Sequence, residues 1–130
     1  MFDWLRRNKP QPLTGAPAIR REKTYSAESG YVYSYFYRGH RPCQGGAEYV
    51  FDVSADRRGF LPVSVFLSGA ALEPWQTAHG RELTGSERYA IAKLALLAAF
   101  DQRQNLSLMR EKIHVQPADA ASILETLGID

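Results

Sequence analysis

Apolar and polar positions alternate with a period of two along the first half of the chain and fall into a helical period along the second. Residues 31–38 put Tyr31, Tyr33, Tyr35 and Tyr37 on alternate positions, with Val32, Ser34 and Phe36 between them. A strand here carries four tyrosines on one face and a largely apolar second face, unlike the solvated side of an ordinary antiparallel sheet. Residues 47–53 set Tyr49, Phe51 and Val53 against Glu48, Val50 and Asp52, and residues 62–67 set Val63, Val65 and Leu67 against Ser64 and Phe66. Each pattern predicts a strand with one core face. Pro62 has no amide donor, so the third strand begins there or lies at an edge. The stretches 39–46 and 55–61 contain Gly-Gly and Arg-Arg-Gly, which suit hairpin loops longer than two residues.

The helical half is punctuated more sharply. Thr84 followed by Glu87 forms a capping box and predicts a helix from Gly85. Between residues 89 and 100 the only charge is Lys93, so this helix is apolar nearly all round and expects cover on several sides. Its alanines at 90, 92, 95, 98 and 99 leave room for large rings to approach. Ahead of it, residues 68–79 predict a helical turn interrupted at Pro74, then a short piece closed by Gly80. After it, Ile113 and Val115 alternate within 112–116, and Pro117 opens a last helix carrying Ile123, Leu124 and Leu127 before Gly128. The expected fold is α+β, an antiparallel three- to four-stranded sheet packed on a long buried helix, in the order βββααβα.

Prolines 10, 12 and 17 around Gly15 cannot sustain a helix or a central strand. They divide the chain into a flexible Pro-rich amino-terminal arm, residues 1–21, and a single α+β domain, residues 22–130. Phe2, Trp4 and Leu5 share one side of a possible helical turn at the start, too short to stand without a surface to dock on.

With 130 residues, 45% of them hydrophobic, one core is expected. The single cysteine, Cys43, rules out an internal disulfide. No apolar run reaches the length of a membrane span or of a signal peptide's core. These features place the protein in the cytoplasm. The net charge of +2 is too small for the whole chain to attract polyanions, but residues 1–41 hold eight basic and three acidic side chains, so any such attraction belongs to that third.

Candidate chemistry is sparse. His40 and Cys43 have a spacing seen in metal sites and in Cys/His nucleophilic pairs, yet His79 and His114 are isolated, and His114 alternates outward from Ile113 and Val115. Glu48 and Asp52 are read as solvated edge charges rather than as an acid/base pair. No phosphate-binding glycine motif occurs. Arg58, Gly59, Phe60 and Val63 match part of the central strand motif of RNA-recognition domains. Leu61, Pro62 and Val65 occupy its other key positions and the element order differs, so that family is not assigned. No cofactor and no metal are expected.

What stands out is an excess of apolar faces over elements to cover them. It predicts a non-enzymatic protein that associates with itself as a homo-oligomer or with another protein, through Tyr31, Tyr33, Tyr35, Tyr37, Phe36, Arg38 and Arg41. Inward tyrosines would leave Val32, Phe36, Val50 and Phe66 as an apolar strip on the far face. The alternative is single-stranded nucleic-acid binding, with bases stacked on Tyr33 and Tyr35 and phosphates held by Arg38. A small hydrolase using His40 and Cys43 is a third reading.

Overall fold

A computed structural model of the protein describes residues 11–103 and 105–130; the expected turn at Phe2, Trp4 and Leu5 lies outside them. Strands β1 (Lys23–Ser26), β2 (Val32–Cys43), β3 (Gly46–Ser54) and β4 (Leu61–Ser68) come first. Helices α1 (Gly69–His79) and α2 (Gly85–Gln102), a 3-10 turn (Leu106–Arg110), strand β5 (Ile113–His114) and helix α3 (Pro117–Leu127) follow. The α+β class is as expected, but the sheet is five-stranded and mixed, in the order β1-β2-β3-β4-β5 with β4 and β5 parallel. A parallel neighbour needs a crossover, and α1, α2 and the 3-10 turn supply it.

The expected order βββααβα therefore lacks one strand. β1 is only four residues of Lys-Thr-Tyr-Ser, three of them exposed, and it is a strand because it pairs with β2 from Lys23 opposite Tyr35 to Ser26 opposite Val32. β2 also runs further than its composition suggests. Gly39 and Pro42 read as loop residues, yet pairing with β3 continues to Cys43 opposite Gly46. The turn is two residues, Gln44 (φ 42°) and Gly45 (φ 78°), rather than the longer loop expected. Positive φ at both positions gives the backbone twist that a two-residue hairpin requires.

The strong local signals hold. Thr84 accepts from the Glu87 amide while the Glu87 carboxylate accepts from the Thr84 amide, completing the box that starts α2. No side chain from 87 to 100 is exposed. Pro74 does not interrupt α1, which is continuous, starts from a Ser68 cap and ends at left-handed Gly80. Ile113 and Val115 are buried and His114 is exposed, as their alternation predicts.

One core lies between the sheet and the helices. Tyr33, Tyr35, Phe51, Val53, Val63, Val65 and Leu67 from the strands meet Leu72 and Trp75 of α1, Ile91, Ala92, Leu96 and Phe100 of α2, and Ala120 and Leu124 of α3. The Tyr33 and Phe100 rings stack at 4.3 Å, 7° from parallel, the close approach that alanines at 92, 95 and 99 of α2 permit.

The other sheet face carries no helix among the described residues, and charge covers much of it. Arg20 and Arg38 both pair with Asp52, at 2.6 and 3.6 Å, and Arg41 and Lys112 both pair with Glu48, at 2.7 and 3.4 Å. The Arg20 guanidinium lies 4.3 Å over the Phe36 ring, so its stem shields what was expected to be bare. Glu48 and Asp52 are thus ion-paired residues of the central strand β3 rather than solvated edge charges. Burial alone would raise the Glu48 carboxyl, but hydrogen bonds from Arg41 and Ser64 and the charges of Arg41 and Lys112 outweigh it and hold the carboxyl low. Val50 is buried on this face, so the apolar strip shrinks to a corner where Val32 and Phe60 stay exposed, Phe60 beside Phe36; the exposed Tyr31 ring lies instead 6.1 Å from Tyr33.

Candidate functional site

The site is built from a misfit between two registers on the free edge of β2. Continuing the β1 pairing would put residue 18 opposite His40, but Thr14 stands there, joined by reciprocal amide-to-carbonyl bonds of 2.9 and 2.8 Å. Four residues of the arm are in excess and bow away from the edge. Gly15 (φ 81°) and Gly39 (φ 126°) permit the clasp: a side chain at Gly39 would sit 2.6 Å from the Thr14 carbonyl oxygen, and one at Gly15 would strike the His40 ring. A second irregularity adds to it. Arg38 is an extra residue in the β2–β3 ladder, so Tyr37 opposite Phe51 and His40 opposite Tyr49 share the helix-side face although they are three apart.

Between the bowed arm, β2, β3 and the start of α2 opens a cleft of about 980 Å³. Four tyrosines and a histidine line it: Tyr35, Tyr37, Tyr49, Tyr89 and His40. The Tyr37 and Tyr89 rings are 4.7 Å apart, the His40 ring stacks on Tyr49 at 5.2 Å, and a 2.9 Å hydrogen bond joins the Tyr37 hydroxyl to His40 Nδ1. Pro17, Ala18 and Ile19 of the arm form the outer wall. Burial raises the phenols of Tyr35, Tyr37 and Tyr89; for Tyr37 the neighbouring Tyr49 and Tyr89 add to it. Burial raises Tyr49 as well, against the charge and hydrogen bond of Arg88. All four hydroxyls are neutral donors at ordinary pH.

The cleft's charge is one-sided. Arg21, Lys23 and Arg88 line it, and no Asp or Glu does among the described residues. Arg20, Arg38, Arg41, Arg57, Arg81 and Lys112 are ion-paired, while these three, like Arg58, Lys93, Arg103 and Arg110 elsewhere, have no carboxylate partner among the described residues. Arg88 is held in place by a 2.6 Å bond from Nη1 to the Leu83 carbonyl.

The residues singled out from sequence are split by the sheet. Tyr33 and Tyr35 are buried under α2, Tyr37 is half-buried in the cleft, and Tyr31 precedes β2 and is exposed. Phe36, Arg38 and Arg41 face the opposite side, where both arginines are ion-paired. These seven residues do not form one surface, and Tyr33, fully buried, offers no ring face to a base. His40 and Cys43 are not brought together either. Alternation along β2 sends His40 inward with Tyr49 and Cys43 outward with Gly46, and His40 spends its Nδ1 on Tyr37. Among the described residues no cluster of three or more His, Cys, Asp or Glu could hold a metal ion, and no helix is long and apolar enough to cross a membrane.

Sequence reasoning missed Tyr49, Tyr89, Arg88, Arg21 and Lys23 as site residues. Tyr49 and Tyr89 looked like core, and a bulge at Arg38 leaves no mark in the pattern except the glycine that follows it. Compared with known proteins, the chain matches no family model, and no curated protein or solved structure is significantly similar to it.

Proposed function

We propose that this protein works by association rather than by catalysing a reaction, and that the cleft under the arm is where it binds. The observation that carries the reading is a space of about 980 Å³ walled by four tyrosines and three cations without carboxylate partners among the described residues. Cavities of this size and ring-rich lining are typical of binding sites. A domain with no use for such a space could have closed it, since rings and aliphatic side chains gain by packing. A cytoplasmic setting accords with the lone thiol of Cys43. The test is a fragment library followed by backbone amide NMR: shifts should gather around Tyr37, His40 and Tyr89, and shifts confined to the outer sheet face would overturn the assignment.

A second reading is self-association through the corner of the outer face. Its support is the exposure of Val32 (52%) and Phe60 (38%) on the outer face, where the Phe60 ring lies 5.5 Å from Phe36. Light scattering on the purified chain decides it. A dimer that Val32→Asp dissociates supports that interface, and a lone 14.6 kDa species removes it.

A further inference from the structure

We propose that the occupant of the cleft is a small organic anion built on a flat ring, its ring lying against Tyr37 and Tyr89 and its negative group turned toward Arg21, Lys23 and Arg88. The inference rests on the reading of the cleft as the binding site and adds the chemistry of what it binds.

Charge argues first. Three cations line one space without a carboxylate among its described lining. Arg21 and Lys23 are exposed and Arg88 is half-buried, and like charges gathered around one concavity repel one another and favour an anion between them. The tyrosines do not cancel this field, because burial keeps their hydroxyls protonated.

Shape argues next. Tyr37 and Tyr89 are tilted 56° to one another, with Tyr49 carrying the His40 ring behind them, so the walls present ring faces and edges to a planar guest. Inorganic phosphate would leave these rings wet. A small molecule with one aromatic and one anionic end matches both walls.

The probes are naphthoate, which has ring and charge, naphthalenemethanol, which has the ring alone, and inorganic phosphate, which has the charge alone. Binding is measured by calorimetry and located by amide NMR on the full chain. Naphthoate should bind one site, shift amides flanking Tyr37, His40 and Tyr89, and bind at least about tenfold tighter than naphthalenemethanol, the difference expected of charge-assisted contacts. Phosphate should bind more weakly still, and raised salt should weaken naphthoate alone. The pair Lys23→Met with Arg88→Met should erase the gap between the two ring probes, while Arg110→Met, on the exposed 3-10 turn, should keep it. Equal binding of both ring probes at the cleft in the wild-type chain overturns the anion and leaves the binding site standing. If all three probes pass the cleft by, the site itself falls. The wild-type comparison and its salt dependence need no variant to fold.

Discussion

Within the tyrosine row of β2, the substitution Tyr→Phe should have opposite signs at two positions four residues apart. The Tyr33 ring is fully buried and stacked on Phe100, but its hydroxyl has no hydrogen-bond partner among the described residues. Leaving a buried donor and acceptor unpaired costs about 1–3 kcal/mol. Tyr33→Phe keeps the ring, its stacking and nearly all its volume and removes only that unpaired group, so it should stabilise the fold by about 1–2 kcal/mol. For a chain of this length each kcal/mol moves Tm by about 4 °C. Tyr37→Phe instead deletes the 2.9 Å bond to His40 and strands the imidazole nitrogen, for a loss of about 1 kcal/mol. Urea unfolding followed by circular dichroism reads both, the midpoints moving in opposite directions at constant slope. A lower midpoint for Tyr33→Phe would refute the reasoning, because it would mean that the hydroxyl is satisfied, for instance by a trapped water, and that the ring's burial is not wholly apolar.

Two further outcomes follow from the contacts described. The Arg81 guanidinium, then the Thr84 amide, hold the Glu87 carboxyl down to about 2. A depressed folded-state value gives stability that is complete above the unfolded carboxylate's pKa of about 4.3 and lost as pH falls through about 2. Glu87→Gln should therefore be less stable than wild type at neutral pH, with the gap narrowing from about pH 4.5 downward in urea titrations; a gap constant to pH 2 contradicts the pairing. At the clasp, Gly39→Ala forces a side chain into φ 126° and against the Thr14 carbonyl, which should cost about 1–3 kcal/mol and free the arm. Trypsin should then cut after Arg20 or Arg21 much faster than in wild type, while α2 stays protected; unchanged cleavage would show that the clasp does not hold the arm.

What could be read from the chain was whatever is decided within a few residues. The box of Thr84 and Glu87, the stop at Gly128, and the alternation of Ile113, His114 and Val115 each close over one turn or one pleat, and each is found where the pattern puts it. β1 failed this rule because its four residues have no face of their own and take their conformation from β2. β2 was cut short for the converse reason. Gly39 and Pro42 are locally poor strand residues, and the neighbouring strand β3 overrides them.

The cleft was illegible for a stronger physical reason. It exists only because residues 26 positions apart, Thr14 and His40, fix the arm at a register four residues out of step with β1. Neither the misfit nor the bulge at Arg38 has a periodic signature, so the side chains they bring together are scattered among segments that look, one by one, like core, linker and edge. The same geometry explains why the outer face misled. Its apolar members were counted as bare because the arginine covering Phe36 comes from position 20, in the segment read as a flexible arm. Once Arg20 is placed over that ring, the arm ceases to be an appendage: one face of it supplies a cation to Asp52, and the other supplies Pro17, Ala18 and Ile19 to the wall of the cleft. One segment, residues 11–21, thus contributes both to the cleft wall and to the salt bridge on the far face. Arg20→Ala should accordingly weaken a cleft ligand that Arg20 never touches.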